Sequence, residues 1–195
     1  MLDYIWNLTF FIFWLIMIII RFPYVKLYEQ FKNKSKFNLT EETIILLWGL
    51  GFNVFPIIYI ITGLPTRYNI NLPIYVRLIG IGILLTSVIV LQWTHKTLGK
   101  NWSPTVDLIK NHKLITIGPF KYVRHPMYTS IWLRAIGQFL LLSNWFVGLV
   151  GIIIWLCIYP LRVSSEEKML KQKFGKNYIK YMKTTGRILP KLFKQ

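Results

Sequence analysis

Five apolar runs divide this chain, and they constrain its fold more than any other feature. They cover residues 4–20, 43–61, 73–92, 127–142 and 145–161, each close to the ~20 residues with which a helix crosses a bilayer core. A backbone in lipid has to satisfy its own N–H and C=O groups, and a helix does so within one segment. The runs therefore predict an all-α integral membrane protein, with five transmembrane helices in a single domain over residues 1–195. The first run has no basic segment ahead of it and no small-residue cleavage site behind it, so it reads as a span ended by Arg21 and Pro23 and not as a secretory leader. Gly49, Gly51, Gly80 and Gly82 let helices approach closely, and Pro56 predicts a kink in the second span. Ser143-Asn144 leaves room only for a tight turn, which makes the fourth and fifth spans a helical hairpin.

The net charge of +17 would suit a nucleic-acid partner, but its distribution points elsewhere. Lysine and arginine gather in Tyr24–Glu42, in Trp93–Met127 and in the tail from Arg162 to Gln195, all between or after the apolar runs. With five spans those three segments share one face. The positive-inside rule makes that face cytoplasmic, with the N-terminus outside, in the cell membrane if the chain is prokaryotic. Membrane lipids, not nucleic acid, are the partners this implies. Thr40-Glu41-Glu42 reads as an N-cap with acidic first-turn residues opening the second span. Cys157, the one cysteine, lies in an apolar run where it packs, so no disulfide can form within the chain.

One loop carries more chemistry than a connection needs. His112–Tyr128 reads HKLITIGPFKYVRHPMY. Gly118-Pro119 breaks an incoming helix, and Pro126 draws His125 away from helical geometry while opening the next helix. A basic, aromatic turn pinned at the membrane surface results, with two ring nitrogens and the Arg124 guanidinium aimed at one small volume, able to hold a small polar ligand; a plain juxtamembrane loop is the alternative. A second polar cluster, Arg162 to Glu167, follows the fifth span. If that helix continues, Arg162 and Glu166 share a face four residues apart, either as an exposed ion pair or as a fork for a carboxylate beside an acceptor for an amine or hydroxyl. Arg134 and Gln138 inside the fourth span either face a cavity or serve a structural pair. No phosphate-binding glycine loop or nucleophile elbow is present. His95, His112 and His125 lack acidic or cysteine neighbours at ligand spacing, so no metal site is expected.

Gly118-Pro119-Phe120-Lys121-Tyr122-Val123-Arg124-His125-Pro126-Met127-Tyr128 resembles the G-x-Y-x-x-x-R-H-P-x-Y signature of the isoprenylcysteine carboxyl methyltransferases. Glu166-Glu167, Phe174-Gly175-Lys176-Asn177-Tyr178, Tyr181, Gly186-Arg187 and Pro190 look like that family's ending, and His112-Lys113-Leu114-Ile115 matches its H-x-L-V. Related patterns occur in phospholipid N-methyltransferases and, more loosely, in membrane sterol reductases. The likeness covers the C-terminal half, with 93–195 as the catalytic part, and the length is similar to the compact archaeal or bacterial five-span members.

The resemblance implies an S-adenosylmethionine site (product S-adenosylhomocysteine) on the cytoplasmic side, formed by the 93–127 loop and the tail. By position His112, Lys113, Leu114, Ile115, Phe120, His125, Pro126, Met127 and Tyr128 would line the cofactor. Glu166 would contact it from the tail, and Arg162 would meet the acceptor; these two are the catalytic candidates. Phe120 stands where the family usually has tyrosine, and Thr129-Ser130 where a glycine is common. The implied reaction is carboxyl O-methylation of an isoprenylcysteine-like lipophilic acceptor entering from the bilayer. An ionised carboxylate needs no general base, whereas an N-methyltransferase for a lipid or amine would need one. A non-catalytic membrane scaffold would show no affinity for the cofactor. A reductase would need a nicotinamide site, for which the chain has little room.

Overall fold

The computed structural model describes residues 2–31, 39–105 and 113–191. Its helices are α1 (Leu2–Phe31), α2 (Leu39–Gly49), α3 (Phe55–Thr62), α4 (Ile74–Leu98), α5 (Pro126–Leu142) and α6 (Trp145–Thr184). No strand occurs among the described residues; two isolated bridges join Asn69 to Asn144 and Val123 to Gly186. Four segments among these residues are long and apolar enough to cross a membrane: Asp3–Gln30, Thr40–Thr62, Ile74–Asn101 and Trp145–Thr184. Ile19, Ile61, Ile89 and Leu156 stand exposed on them, as residues facing hydrocarbon would. The chain is thus an all-helical, multi-pass membrane protein. α5, the remaining expected span, has 17 residues, about 26 Å of helix, and packs chiefly against α4 and then α6.

Several boundaries differ from those expected. α1 does not end at Arg21 or Pro23 but continues to Phe31 with Pro23 inside it. A proline removes one backbone bond, and the turns beyond it are held by packing: Tyr24 stacks on His95 at 4.5 Å and Tyr28 meets Trp102 edge-on. α2 starts at Leu39, so Thr40 lies in the first turn and not at the cap. α4 carries on past Gln92 to Leu98, and α6 runs well beyond Leu161, changing direction at Gly175 (φ 51°). The charged tail therefore begins as helix. The expected turn between α5 and α6 is present, with Ser143 in the left-handed region and the Asn144 side chain accepting from Val147 N–H.

The kink expected at Pro56 is a π-helical turn over Leu50–Val54, and it explains two polar residues in α5. Phe55 N–H reaches Leu50 O, which frees Gly51 O. Pro56 has no N–H to offer Phe52 O. Gln138 donates to Gly51 O at 3.1 Å and to Val147 O at 2.9 Å, while Arg134 donates to Phe52 O and Asn53 Oδ1. Arg134 and Gln138 are therefore structural: they satisfy carbonyls that an irregular helix would otherwise bury unpaired.

Candidate functional site

The segment 113–128 is built as a turn that only certain residues allow. Gly118 has φ +60°, and a Cβ there would sit 2.7 Å from Thr97 Oγ1. The glycine is required both by conformation and by its closeness to the end of α4. Gly118–Lys121 forms a short 3₁₀ turn, and Pro126 starts α5 with His125 as its non-helical cap. The tail docks onto this turn through the backbone. Arg124 N–H donates to Gly186 O at 2.8 Å and His125 N–H to Arg187 O at 2.9 Å. Thr129 Oγ1 donates to Ile188 O at 2.8 Å, and Ser130 exchanges bonds with Ser87 on α4, so the Thr129-Ser130 departure from the signature serves packing here.

A charged core holds the dock. Glu167, nearly inaccessible, accepts from Arg124 Nη2 at 2.9 Å and from Arg187 Nη2 at 2.9 Å. Its Oε1 also lies 3.3 Å from His125 Nε2. Arg124 Nη1 donates in addition to the Met182 and Thr185 carbonyls. The guanidinium expected to face a ligand is therefore spent on fastening the tail. His125 lies between two carboxylates, with Nδ1 3.4 Å from Glu166 Oε2. Burial works against a charged ring, yet Glu166 and Glu167 outweigh it and hold His125 above the usual imidazole value. With the folded-state pKa above the unfolded 6.5, protonated His125 adds stability that is complete below the unfolded value. That stability is lost as pH rises through the folded value. Thermal midpoints in detergent are accordingly expected to be level in mild acid and to fall as pH rises through neutrality. His125→Gln should flatten that slope, and equal slopes in both proteins would remove the charge from His125.

Around this core lies a cavity of about 330 Å³, within the roughly 300–1,000 Å³ typical of small-molecule sites. From the turn it is lined by Lys113, Leu114, Ile115 and Phe120, and from the start of α5 by His125, Pro126, Met127 and Tyr128. Arg162 and Glu166 line it from α6. Every one of the sequence-derived site residues within the described part is there; His112 lies outside the described residues. Tyr128 stacks on His125 at 5.3 Å and donates to Glu166 Oε2 at 2.7 Å. Arg162 does not pair with Glu166. Its Nη2 donates to Glu41 on α2 at 3.1 Å and to Pro104 O at 2.8 Å, and its buried Nε is without a partner among the described residues.

Residues 79–172 match the model of the isoprenylcysteine carboxyl methyltransferase family. That segment, just under half of the chain, is similar to the family. The chain is 33% identical over 81 residues to the protein-S-isoprenylcysteine O-methyltransferase of Schizosaccharomyces pombe, covering 42% of this chain and 34% of that protein. Over 105 residues it is 26% identical to the O-methyltransferase B of the same description from Arabidopsis thaliana, covering 52% and 53% of the two chains. An uncharacterised protein of Haemophilus influenzae is 31% identical over 100 residues, or 51% and 58% of the chains. The matches thus span between about a third and three fifths of the relatives' own lengths.

The family segment leaves out part of the cavity. Tyr178 and Tyr181 line it from beyond residue 172; the Tyr178 hydroxyl is buried without a partner among the described residues, and Tyr181 donates to Phe120 O. Both stand in the quoted tail motif, although no role had been assigned to them. Arg21, Ile44, Ile45 and Trp48 line it from α1 and α2, and nothing in their sequence surroundings marks them as cavity residues.

Proposed function

We propose that the chain is an S-adenosylmethionine-dependent methyltransferase of the membrane, O-methylating the carboxylate of an isoprenylcysteine-like lipophilic acceptor. The observation that carries this reading is the convergence of the motif turn, the tail and an apolar flank on one cavity. The donor set suits the cofactor. Glu166 offers a carboxylate to its cationic groups, and Phe120, Tyr128 and Tyr181 offer ring faces. The unpartnered Tyr178 hydroxyl offers a hydrogen bond. When bound, S-adenosylmethionine supplies an electrophilic methyl; a carboxylate oxygen gives both electrons of the new O–CH3 bond, the S–CH3 pair leaves with sulfur, and no proton moves.

The apolar flank is where the acceptor's prenyl chain would lie. Ile44, Ile45 and Trp48 of α2 line the cavity together with Ile131, Trp155 and Ile158, and Ile45 is also exposed. Entry from the bilayer is consistent with that arrangement. Arg162 lies between this flank and Glu166, where its free Nε can orient a carboxylate. Among the described residues that line the cavity none is free to act as base for an amine acceptor: Glu166 is engaged by Tyr128 and His125 and His125 by two carboxylates, and nearby Glu41 is held by Arg162. This favours the carboxylate over the amine. We take α5 as a fifth crossing shielded within the bundle. That places the N-terminus outside and the site on the cytoplasmic face, in agreement with the lysine distribution.

Purified protein in detergent is expected to bind S-adenosylhomocysteine saturably by calorimetry. It should transfer labelled methyl to an S-prenylated N-acetylcysteine as base-labile ester, and leave the corresponding carboxamide unlabelled. Labelling of a lipid amine instead would favour N-methylation. Absence of binding by folded protein would leave a scaffold.

A further inference from the structure

Three guanidiniums line the cavity, and they differ in how they are satisfied. Arg124 is fully engaged by Glu167 and two carbonyls. Arg162 is held by Glu41 and Pro104 O. Arg21 of α1 has no hydrogen-bond acceptor or carboxylate among the described residues. It is fixed by stacking alone, 5.0 Å from the Trp48 ring centroid and 5.1 Å from that of Trp102. Two indoles against one guanidinium hold its orientation and leave N–H edges free, the geometry with which arginine reads an oxyanion.

The charges around it point to the same ligand. Arg21 and Arg162 act on each other electrostatically, and Glu41 is the only carboxylate within salt-bridge reach of either among the described residues. Two cations sharing one anion in a low-dielectric cavity leave a positive charge that a bound anion would neutralise. Trp48, which stacks on Arg21, also belongs to the apolar flank. An anion at Arg21 would therefore carry its hydrocarbon tail directly into that flank.

We propose that Arg21, from the first helix and outside the family-matched segment, is the specificity residue for the acceptor's carboxylate. It would bind one oxygen edge-on and hold the other free to react. This assignment rests on the O-methylation reading above. It divides the labour between two arginines: Arg162, restrained through Nη2 by Glu41 and Pro104 O, orients the carboxylate through Nε, and Arg21 discriminates anionic from neutral acceptors.

The test compares binding of an S-prenylated N-acetylcysteine with binding of its carboxamide, in wild type, Arg21→Met and Arg21→Lys. S-adenosylhomocysteine titration serves as the control for an intact site. Wild type is expected to prefer the carboxylate by about 10- to 100-fold, the scale of a charge-assisted pair. Arg21→Met should reduce that preference below about twofold, with S-adenosylhomocysteine affinity unchanged and carboxamide binding retained. Arg21→Lys, which keeps the charge and loses the fork, should fall between the two. If the Met variant keeps the full preference while wild type methylates the carboxylate, the Arg21 assignment is overturned and the O-methylation reading stands. Loss of S-adenosylhomocysteine binding in both variants would make Arg21 a structural residue and also overturn it. A wild type that binds the cofactor product but takes no prenylated carboxylate overturns both.

Discussion

Glu167→Ala is expected to cost about 3–5 kcal/mol of stability, with a fall in the thermal midpoint of roughly 6–20 °C for a chain of this size. The reason is what the substitution leaves behind. Glu167 is the common anion for Arg124, Arg187 and His125, and the Arg124 and His125 side chains are almost inaccessible. Without it, two buried cationic groups lose a principal counter-charge. Arg124 would keep only the carbonyls of Met182 and Thr185, and His125 only Glu166. Glu167→Gln, which keeps the shape and part of the hydrogen bonding, should lose less. Detergent-phase unfolding measured beside an exposed control such as Lys171→Ala checks this. A loss below about 1 kcal/mol would mean that the backbone bonds from Arg124 and His125 to the tail suffice alone.

Much of this site was legible in the sequence because its turn chemistry is local. Gly118, Pro119 and Pro126 define where the chain bends, and the geometry each imposes does not depend on distant residues. The R-H-P pattern and the tail glutamates could be brought together by topology alone, and they do meet: Glu166 lines the same cavity as Arg124, His125 and Pro126, and Glu167 pairs with Arg124 and His125. What each residue does was less legible, because partners far apart in sequence decide it. Arg124 looked like a ligand-facing group but is spent on Glu167 and the tail. Arg162 looked like a partner for Glu166 four residues on, yet its acceptor is Glu41, 121 residues away. Arg134 and Gln138 were ambiguous because the π turn that requires them cannot be read from Gly49, Gly51 and Pro56 with confidence in register. Arg21 sat at what appeared to be the end of a span; only the continuation of α1 past Pro23, and the two indoles that meet it, place it in the cavity wall.

Glu166→Ala tests the neighbouring residue, and the contrast with Glu167 gives it force. Consecutive residues on a helix point about 100° apart, so the two carboxylates have different surroundings. Glu167 faces the docked tail, whereas Glu166 lines the cavity and is partly accessible there. Removing Glu166 takes an acceptor from Tyr128 at a wall that a ligand or water can reach, and His125 keeps Glu167. The expected stability loss is therefore small, about 1 kcal/mol. The expected loss of S-adenosylhomocysteine affinity is large, about 10- to 100-fold, the scale for a charged hydrogen bond lost within a binding site. Calorimetric titration and thermal unfolding of the same preparation separate the two effects. Should Glu166→Ala lower stability as far as Glu167→Ala while S-adenosylhomocysteine still binds at wild-type affinity, both glutamates belong to the tail dock, and the cationic part of the cofactor must be met elsewhere in the cavity.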